Sequence, residues 1–200
     1  MLRNYCITII RNLWKNKFYT FINIVSLSVG IASIVWGIQN YRFSFGFNKF
    51  HKDTKNIFRV VTKIAGSDYR KGMCPGSLVT QSKIDFPVVQ EAVRWDSRSL
   101  NVKAPQSEPF ESRAHFTSSR FFEFFTFPLV QGTNQLDDHS TVLITQKAAK
   151  KFFGESDPIG KTLIFYSDET FRMPLKVTGI LKDPPLNSSF QFELITNTDN

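Results

Sequence analysis

The chain has 200 residues, 42% of them hydrophobic, and a formal net charge of +8, so it is long enough for one or two domains with a sizeable core. Residues 1–42 contain five basic and no acidic side chains, whereas residues 43–200 contain 20 basic and 17 acidic ones. Because the excess charge brackets an apolar segment, it indicates a neighbouring membrane and argues against a nucleic-acid partner. Two cysteines, Cys6 and Cys74, are too few for a disulfide framework or a zinc site.

Residues 1–17 have the pattern of an amphipathic helix. One face contains Leu2, Cys6, Ile9 and Leu13, and the other contains Arg3, Thr8, Arg11 and Lys15. This pattern predicts an interfacial helix that lies along a bilayer with its basic face among the headgroups. A frayed basic tail is the alternative.

Residues 18–41 contain no charged side chain, and a helix of that length spans about 36 Å, more than the ~30 Å of a hydrocarbon core. The segment ends without the A-x-A-like site of a cleavable signal peptide, which is the alternative interpretation. The basic flank before it predicts a cytoplasmic N-terminus, with residues 43–200 outside the cytoplasm. The two cysteines would then lie on opposite sides of the bilayer. Small or weakly polar residues share one helix face and favour packing against other membrane helices: Tyr19, Asn23, Ser26, Gly30, Ser33 and Gly37.

In the rest of the chain the expected strands outnumber the helices and the helices are short, which predicts an α+β domain. Strands are expected at 56–64, 88–95, 99–103, 109–116, 141–145, 162–166, 175–181 and 190–196, and helices at 75–85, from Ser118 or Ser119 through Phe125, and at 146–153. Thr145 is the predicted N-cap of the last helix, and Gly154 ends it. Asp183-Pro184-Pro185 is a rigid break.

No pattern typical of a catalytic, cofactor-binding or metal site emerges. Residues 154–162 read GESDPIGKT, but a phosphate loop needs four residues between its glycines and a helix after Lys-Thr, whereas here there are five residues and a strand. A turn between a helix and a strand is therefore the interpretation. His51, His115 and His139 lack metal-ligand spacing, and five acids fall in expected loops: Asp137, Asp138, Asp157, Asp168 and Glu169. The phenylalanines at 121, 122, 124, 125 and 127 form either a core or a hydrophobic ligand surface.

Four stretches in order resemble one family. They are RNLWKNKFYTFIN at 11–23, FNKFH with IFRV at 47–51 and 57–60, FEFFTFPLVQG at 122–132, and AAKKFFGESDPIGK at 148–161 with VTGILKDPP and NS at 177–185 and 187–188. Together they resemble the N-terminal part of FtsX/MacB-type ABC transporter permeases, in the long version common in Bacteroidetes.

The resemblance implies that residues 43–200 are a MacB-like periplasmic core domain, carried by a protein of the bacterial inner membrane. It also implies no catalytic chemistry in this chain, a separate cytoplasmic ABC ATPase subunit, a permease dimer, and a periplasmic or outer-membrane partner. The expected function is export or mechanotransmission driven by that ATPase.

Permeases of this family have at least four membrane helices, so the chain is expected to be a fragment or a truncated product. Two other hypotheses stay open. One is a single-pass, membrane-anchored module that binds a partner protein, or a remnant of a permease. The other is an anchored enzyme whose side chains converge only in the folded state.

Overall fold

The computed structural model describes residues 2–52, 54–105, 107–166 and 172–197, except for the side chains of residues 2, 3, 5 and 6. It divides into two units, Met1–Phe47 and Asn48–Asn200, which we describe one at a time. The first consists of helix α1, Leu2–Lys15, and helix α2, Lys17–Phe45. The N-terminal segment is thus helical from Leu2 to Lys15, and its place at a bilayer surface stays a prediction.

Helix α2 is long because its uncharged core is followed by further aromatic and polar residues without a helix breaker until Gly46. Within the described residues it alone is long and apolar enough to cross a membrane. It extends four residues past the expected end of the span at Tyr41, through Phe45. Ser28 and Ser33 direct their hydroxyls to carbonyls four residues earlier in the helix, so these polar groups are satisfied inside the helix itself.

The second unit is the mixed α+β domain that the sequence predicts. Its strands are β1 Thr62–Lys63, β2 Arg70–Lys71, β3 Trp95–Lys103, β4 Phe110–Thr117, β5 Leu129–Gly132, β6 Thr141–Thr145, β7 Thr162–Tyr166, β8 Arg172–Leu181 and β9 Leu194–Asn197. Its helices are α3 Leu78–Asp85, α4 Phe121–Phe124 and α5 Gln146–Phe153, with a 3₁₀ turn at Thr54–Asn56. Strands β1 and β2 form a separate hairpin.

The main sheet closes on itself because β8 is long enough to serve two neighbours on one side. The N-terminal half of β8 pairs with β7, and its C-terminal half pairs with β5 on that same side and with β6 on the other. The order continues through β9, β4 and β3 back to β7, so six strands form a ring. Gly132 and Gly179 allow β5 to approach β8 closely, since a Cβ on Gly132 would meet the carbonyl oxygen of Thr178.

Alternate residues of the ring point into two different cores. Val142 and Ile144 of β6 belong to the core that also contains Phe165 of β7 and Phe152 of α5. Leu143 lies between Val142 and Ile144 in the sequence but belongs to a second core made mainly of phenylalanines. Since β6 is covered on both faces, all five of its residues are buried, which explains the uninterrupted apolar run TVLIT.

Helix α5 begins where the sequence predicts. The Thr145 hydroxyl accepts a hydrogen bond from the backbone N–H of Ala148, at 3.2 Å, and Gly154 ends the helix at a φ of 60°. Ala148 and Phe152 are one turn apart and face the first core.

We expect Thr145→Ala to lower the free energy of unfolding by about 1 kcal/mol, because it leaves the Ala148 N–H without its capping acceptor. Chemical denaturation of the whole chain in detergent measures this. Thr145→Ser is the matched control, since it retains the hydroxyl. Equal losses in the two variants would mean that the Thr145 methyl packing, and not the cap, is responsible.

Several expectations about local structure were wrong, including the strand expected at 190–196, which begins only at Leu194. Residues 56–61 form no strand, and pairing in this region is limited to the two residues of β1. Residues 88–94 are irregular until β3 begins at Trp95. Arg120, and neither Ser118 nor Ser119, occupies the N-cap of α4, without a side-chain cap. Strand β5, within the stretch FEFFTFPLVQG, was missed because its four residues show no alternation, all being exposed.

The segment from Phe58 to Val88 packs loosely. Phe58, Met73 and Val88 are each more than four-fifths exposed. The β-branched and aromatic residues of this segment therefore do not mark a buried strand. This explains the failed strand prediction, because β-propensity mainly measures how a side chain packs on a sheet.

Two ion pairs connect α3 to the rest of the domain. The largely buried Glu91 carboxylate contacts both Lys83 of α3 and Arg120 before α4.

Candidate functional site: the clamp that follows the apolar helix

Residues 48–52 begin the second unit, three residues after helix α2 ends at Phe45, and we call them the clamp. They pack on the second core through Phe50 and His51. The aromatic rings of this core form what we call the aromatic cluster: Phe50, Trp95, Phe121, Phe122, Phe125, Phe127, Phe190 and Phe192. His51 is 5% exposed, although it lies in a turn segment near the surface.

Asn48 joins the clamp to the segment before β9 by three hydrogen bonds. Its side-chain Nδ2 donates to the hydroxyl of Ser189 at 2.7 Å, and its Oδ1 accepts from the backbone N–H of Ser189 at 2.8 Å. Its own backbone N–H donates to the carbonyl of Asn187 at 2.9 Å. Asn48 has a φ of 57°, a left-handed conformation that asparagine tolerates better than most residues. Asparagine thus fits this position both through its side-chain hydrogen bonds and through its tolerance of a left-handed backbone.

His51 joins the clamp to the segment after α4. Its Nδ1 accepts a hydrogen bond from the backbone N–H of Thr126 at 3.0 Å, and the backbone N–H of Lys52 donates to the Thr126 hydroxyl at 3.3 Å. Rings of Phe50, Phe125 and Phe127 lie 4.0–5.3 Å from the imidazole, centroid to centroid. Burial lowers the pKa of His51 below its ordinary value of 6.5, because a charged imidazolium would lose its hydration there.

A second buried histidine contacts other rings of the same cluster. His115 of β4 stacks on Trp95 with ring centroids 4.2 Å apart, and its Nε2 lies 2.9 Å from the carbonyl oxygen of Gln191. Burial lowers its pKa to about 4, although the hydrogen bond to Gln191 opposes the shift. His115 is therefore a neutral structural residue at neutral pH.

The clamp brings together three of the stretches that the sequence singled out. FNKFH supplies Asn48 and His51, FEFFTFPLVQG supplies Phe125 to Phe127, and the Asn187-Ser188 stretch lies next to Ser189. The interpretation of the phenylalanine run as a core is confirmed, since Phe121 is fully buried and Phe127 nearly so. Sequence reasoning missed the roles of Asn48, Thr126 and Ser189, because hydrogen bonds across 75 or 141 residues leave no local signal.

The remaining candidates have local structural roles. Residues 154–161 form the turn between α5 and β7, and Thr162 is the first residue of that strand. Asp138 accepts hydrogen bonds from the Ser140 backbone and hydroxyl, and Asp157 accepts from the Ile159 N–H. Asp168 and Glu169 lie outside the described residues. Across the described part of the chain, no three His, Cys, Asp or Glu side chains come together in a way that could hold a metal ion.

One open groove of about 470 Å³ lies beside β4, β9 and the start of α5. Two of its carboxylates have partners: Glu193 binds Lys151 at 3.0 Å, whose ammonium also donates to the Ser112 hydroxyl at 2.9 Å, and Asp183 accepts from the backbone N–H of Lys147. These two carboxylates therefore take part in surface hydrogen bonds that hold β4, α5 and the segment before β9.

Comparison with protein families identifies the class of this chain. The model of the MacB-like periplasmic core domain matches residues 20–199, which is most of the chain. The protein thus belongs to the MacB-like periplasmic core domain family, the periplasmic part of ABC transporter permeases. A comparison with curated individual proteins finds no match.

One solved permease domain has a similar fold, and two further structures match more distantly. A domain assigned to a permease protein from Porphyromonas gingivalis has a TM-score of 0.57 at 21% identity, and the match covers 66% of this chain and 55% of that one. The periplasmic region of MacB from Actinobacillus actinomycetemcomitans has a TM-score of 0.44 at 21% identity, covering 55% of this chain and 49% of that one. The extracellular domain of the noncanonical ABC-type transporter YknZ from Gram-positive bacteria has a TM-score of 0.45 at 19% identity, covering 56% of each. This chain spans about half the length of these relatives.

Proposed function

We propose that this chain is the N-terminal portion of an ABC transporter permease subunit, anchored in the bacterial inner membrane by helix α2 with residues 43–200 in the periplasm. A separate cytoplasmic ATPase supplies the energy, and the permease converts ATP-driven helix movements into work in the periplasm, either export or mechanotransmission. Family membership supports this proposal, as does the one apolar helix that precedes the domain.

The observation that favours a mechanical role is the clamp. A helix can move a domain only if the link between them is short and stiff, because a flexible linker lets its two ends move independently. The chain runs from the end of α2 at Phe45 to Asn48 within three residues. At Asn48, both the side chain and the backbone are hydrogen-bonded to the domain. The clamp is thus suited to passing on a displacement of the helix.

The partners follow from this role. We propose a cytoplasmic ABC ATPase subunit, a second copy of the permease, and a protein of the periplasm or outer membrane. The aromatic cluster is internal and holds the domain together, so the proposed function assigns no substrate to it. The proposal includes no catalytic, cofactor-binding or metal-binding residue in this chain.

Affinity purification of the native membrane complex, with a tag on the gene product that contains this chain, tests the proposal. We expect a stoichiometric ABC ATPase subunit, identified by mass spectrometry, and ATP hydrolysis in the purified complex. A stable product that purifies without an ATPase but with a periplasmic protein would instead support a single-pass interaction module and would contradict the permease proposal.

A further inference from the structure

The bond between His51 and Thr126 fixes the protonation state of the clamp. A backbone N–H can only donate, so the Nδ1 atom that accepts from Thr126 must be unprotonated. The neutral ring then has its proton on Nε2, and this buried atom has no hydrogen-bond partner within the described structure. Adding a second proton would place an N–H at Nδ1 facing the N–H of Thr126. Protonation of His51 therefore breaks this hydrogen bond and disfavours docking of the ring.

The surroundings offer nothing that would stabilise an imidazolium. The rings of Phe50, Phe125, Phe127 and Phe190 lie around His51. Among the described residues of the three segments that pack against it, at 48–52, 120–127 and 187–190, the charged side chains are Lys49, Lys52, Arg120 and Glu123, all of them exposed. Burial of a charge without a partner is unfavourable, so the charged ring would have to leave the cluster for water.

We propose that His51 makes the clamp acid-sensitive: protonation of its imidazole releases residues 48–52 from the aromatic cluster and loosens the link between helix α2 and the domain. The docked state needs a neutral ring and the released state accepts a charged one. Acid therefore selects the released state. A domain outside the cytoplasm would experience such acid directly, and this part of the inference rests on the proposed function, whereas release of the clamp does not.

The direction of the pH dependence follows from the pKa of His51, which burial lowers from 6.5 in the docked state. Above 6.5 the ring is neutral whether docked or released, so docking is fully stable. As the pH falls below 6.5, the His51 ring becomes protonated in the released clamp but stays neutral in the docked clamp. Docking therefore loses stability until the pH reaches the lowered pKa of the docked ring. For one proton the equilibrium between docked and released states changes by up to about tenfold per pH unit in this window.

Hydrogen exchange of the whole chain in lipid nanodiscs tests the proposal. We expect the peptide that contains residues 48–52, after correction for the intrinsic pH dependence of exchange, to exchange up to about tenfold faster for each pH unit below 6.5. Two amides report release most directly. The Asn48 N–H of the clamp donates to the carbonyl of Asn187, and the Thr126 N–H donates to His51 of the clamp. Strand β6 is the internal reference, because its loss of protection would mean general unfolding.

Three variants separate His51 from other titrating groups. His51→Asn places an amide oxygen near the position of Nδ1 and cannot titrate, so it should flatten the pH dependence. His139→Asn changes an exposed histidine, and His115→Asn changes one with a pKa of about 4, so both should retain the response between pH 7 and 5.5. An unchanged response in His51→Asn would overturn the proposal.

A second measurement needs no variant of His51 to fold. Carbon-13 NMR of the three histidine rings in the wild-type chain follows each imidazole through its titration, with His115→Asn and His139→Asn used for assignment. We expect His51 to titrate below 6.5 and to change environment together with the exchange of the Thr126 amide. Titration of His51 at or above 6.5, with the Thr126 amide still protected, would contradict the inference whether or not an ATPase partner exists.

Discussion

Phe121→Ala should lower the free energy of unfolding of the domain by about 3–5 kcal/mol, the largest effect that we expect from any single substitution. Phe121 is 0% exposed, and its ring lies 4.7 Å from those of Trp95 and Phe125 and 5.6 Å from that of Phe190, centroid to centroid. The substitution removes these contacts and leaves a cavity under the clamp. Since domains are stable by only about 5–15 kcal/mol, we expect a loss of roughly 10 °C in melting temperature.

Phe58→Ala is the matched control, because it makes the same substitution at a side chain that is 82% exposed. Its free energy of unfolding should lie within about 0.5 kcal/mol of the wild type. Chemical denaturation followed by the fluorescence of Trp95 measures both variants in a Trp14→Phe, Trp36→Phe background. If the two variants unfolded at the same denaturant concentration, the aromatic cluster could not be the core of the domain.

Asn48→Ala should have the second largest effect, about 2–5 kcal/mol on docking of the clamp. It removes two side-chain hydrogen bonds to Ser189, each worth about 0.5–1.5 kcal/mol. It also places alanine at a φ of 57°, which costs roughly 1–2 kcal/mol. Hydrogen exchange of residues 48–52 at pH 7.5 measures the loss of docking, with β6 again as the reference.

Asn48→Gly separates the two contributions, since glycine accepts the left-handed backbone but makes no side-chain bond. We therefore expect it to loosen the clamp less than Asn48→Ala. Ser189→Ala removes one of the same bonds, so the effects of Asn48→Ala and Ser189→Ala should be less than additive in the double variant. Full additivity would show that Asn48 and Ser189 do not stabilise the clamp together.

The sequence predicts elements well where the pattern and the packing agree. The Thr145 cap and the apolar run of β6 are both local signals, and both appear as expected. Strand β7 has the bounds 162–166 that were expected. The α+β class and the family also follow from the residues. In contrast, residues 56–61 and 88–94 are rich in β-branched residues without forming strands, and Phe58 and Val88 are among the most exposed apolar side chains of the described residues.

The candidate site was less predictable, for a physical reason. Asn48 and His51 look like ordinary turn residues in the sequence, and their partners lie 141 and 75 residues away. The closed ring of strands brings these segments together. Neither the hydrophobic periodicity nor the residue spacing of the sequence predicts that the ring closes. The family resemblance pointed to the correct stretches as a group, but it did not show that three of them meet at one clamp.

The central claim is that the clamp links movement of helix α2 to the domain. The most direct test inserts Gly-Ser-Gly-Ser between Phe47 and Asn48 in the gene product that contains this chain, together with the ATPase subunit that the proposed function assigns to it, and compares hydrogen exchange of residues 48–197 with and without ATP. We expect the insertion to abolish the ATP-dependent change while ATP hydrolysis continues, and the same insertion in the exposed turn between Asp137 and Asp138 to preserve it. An ATP-dependent change of full size in the Phe47–Asn48 insertion variant would contradict the claim.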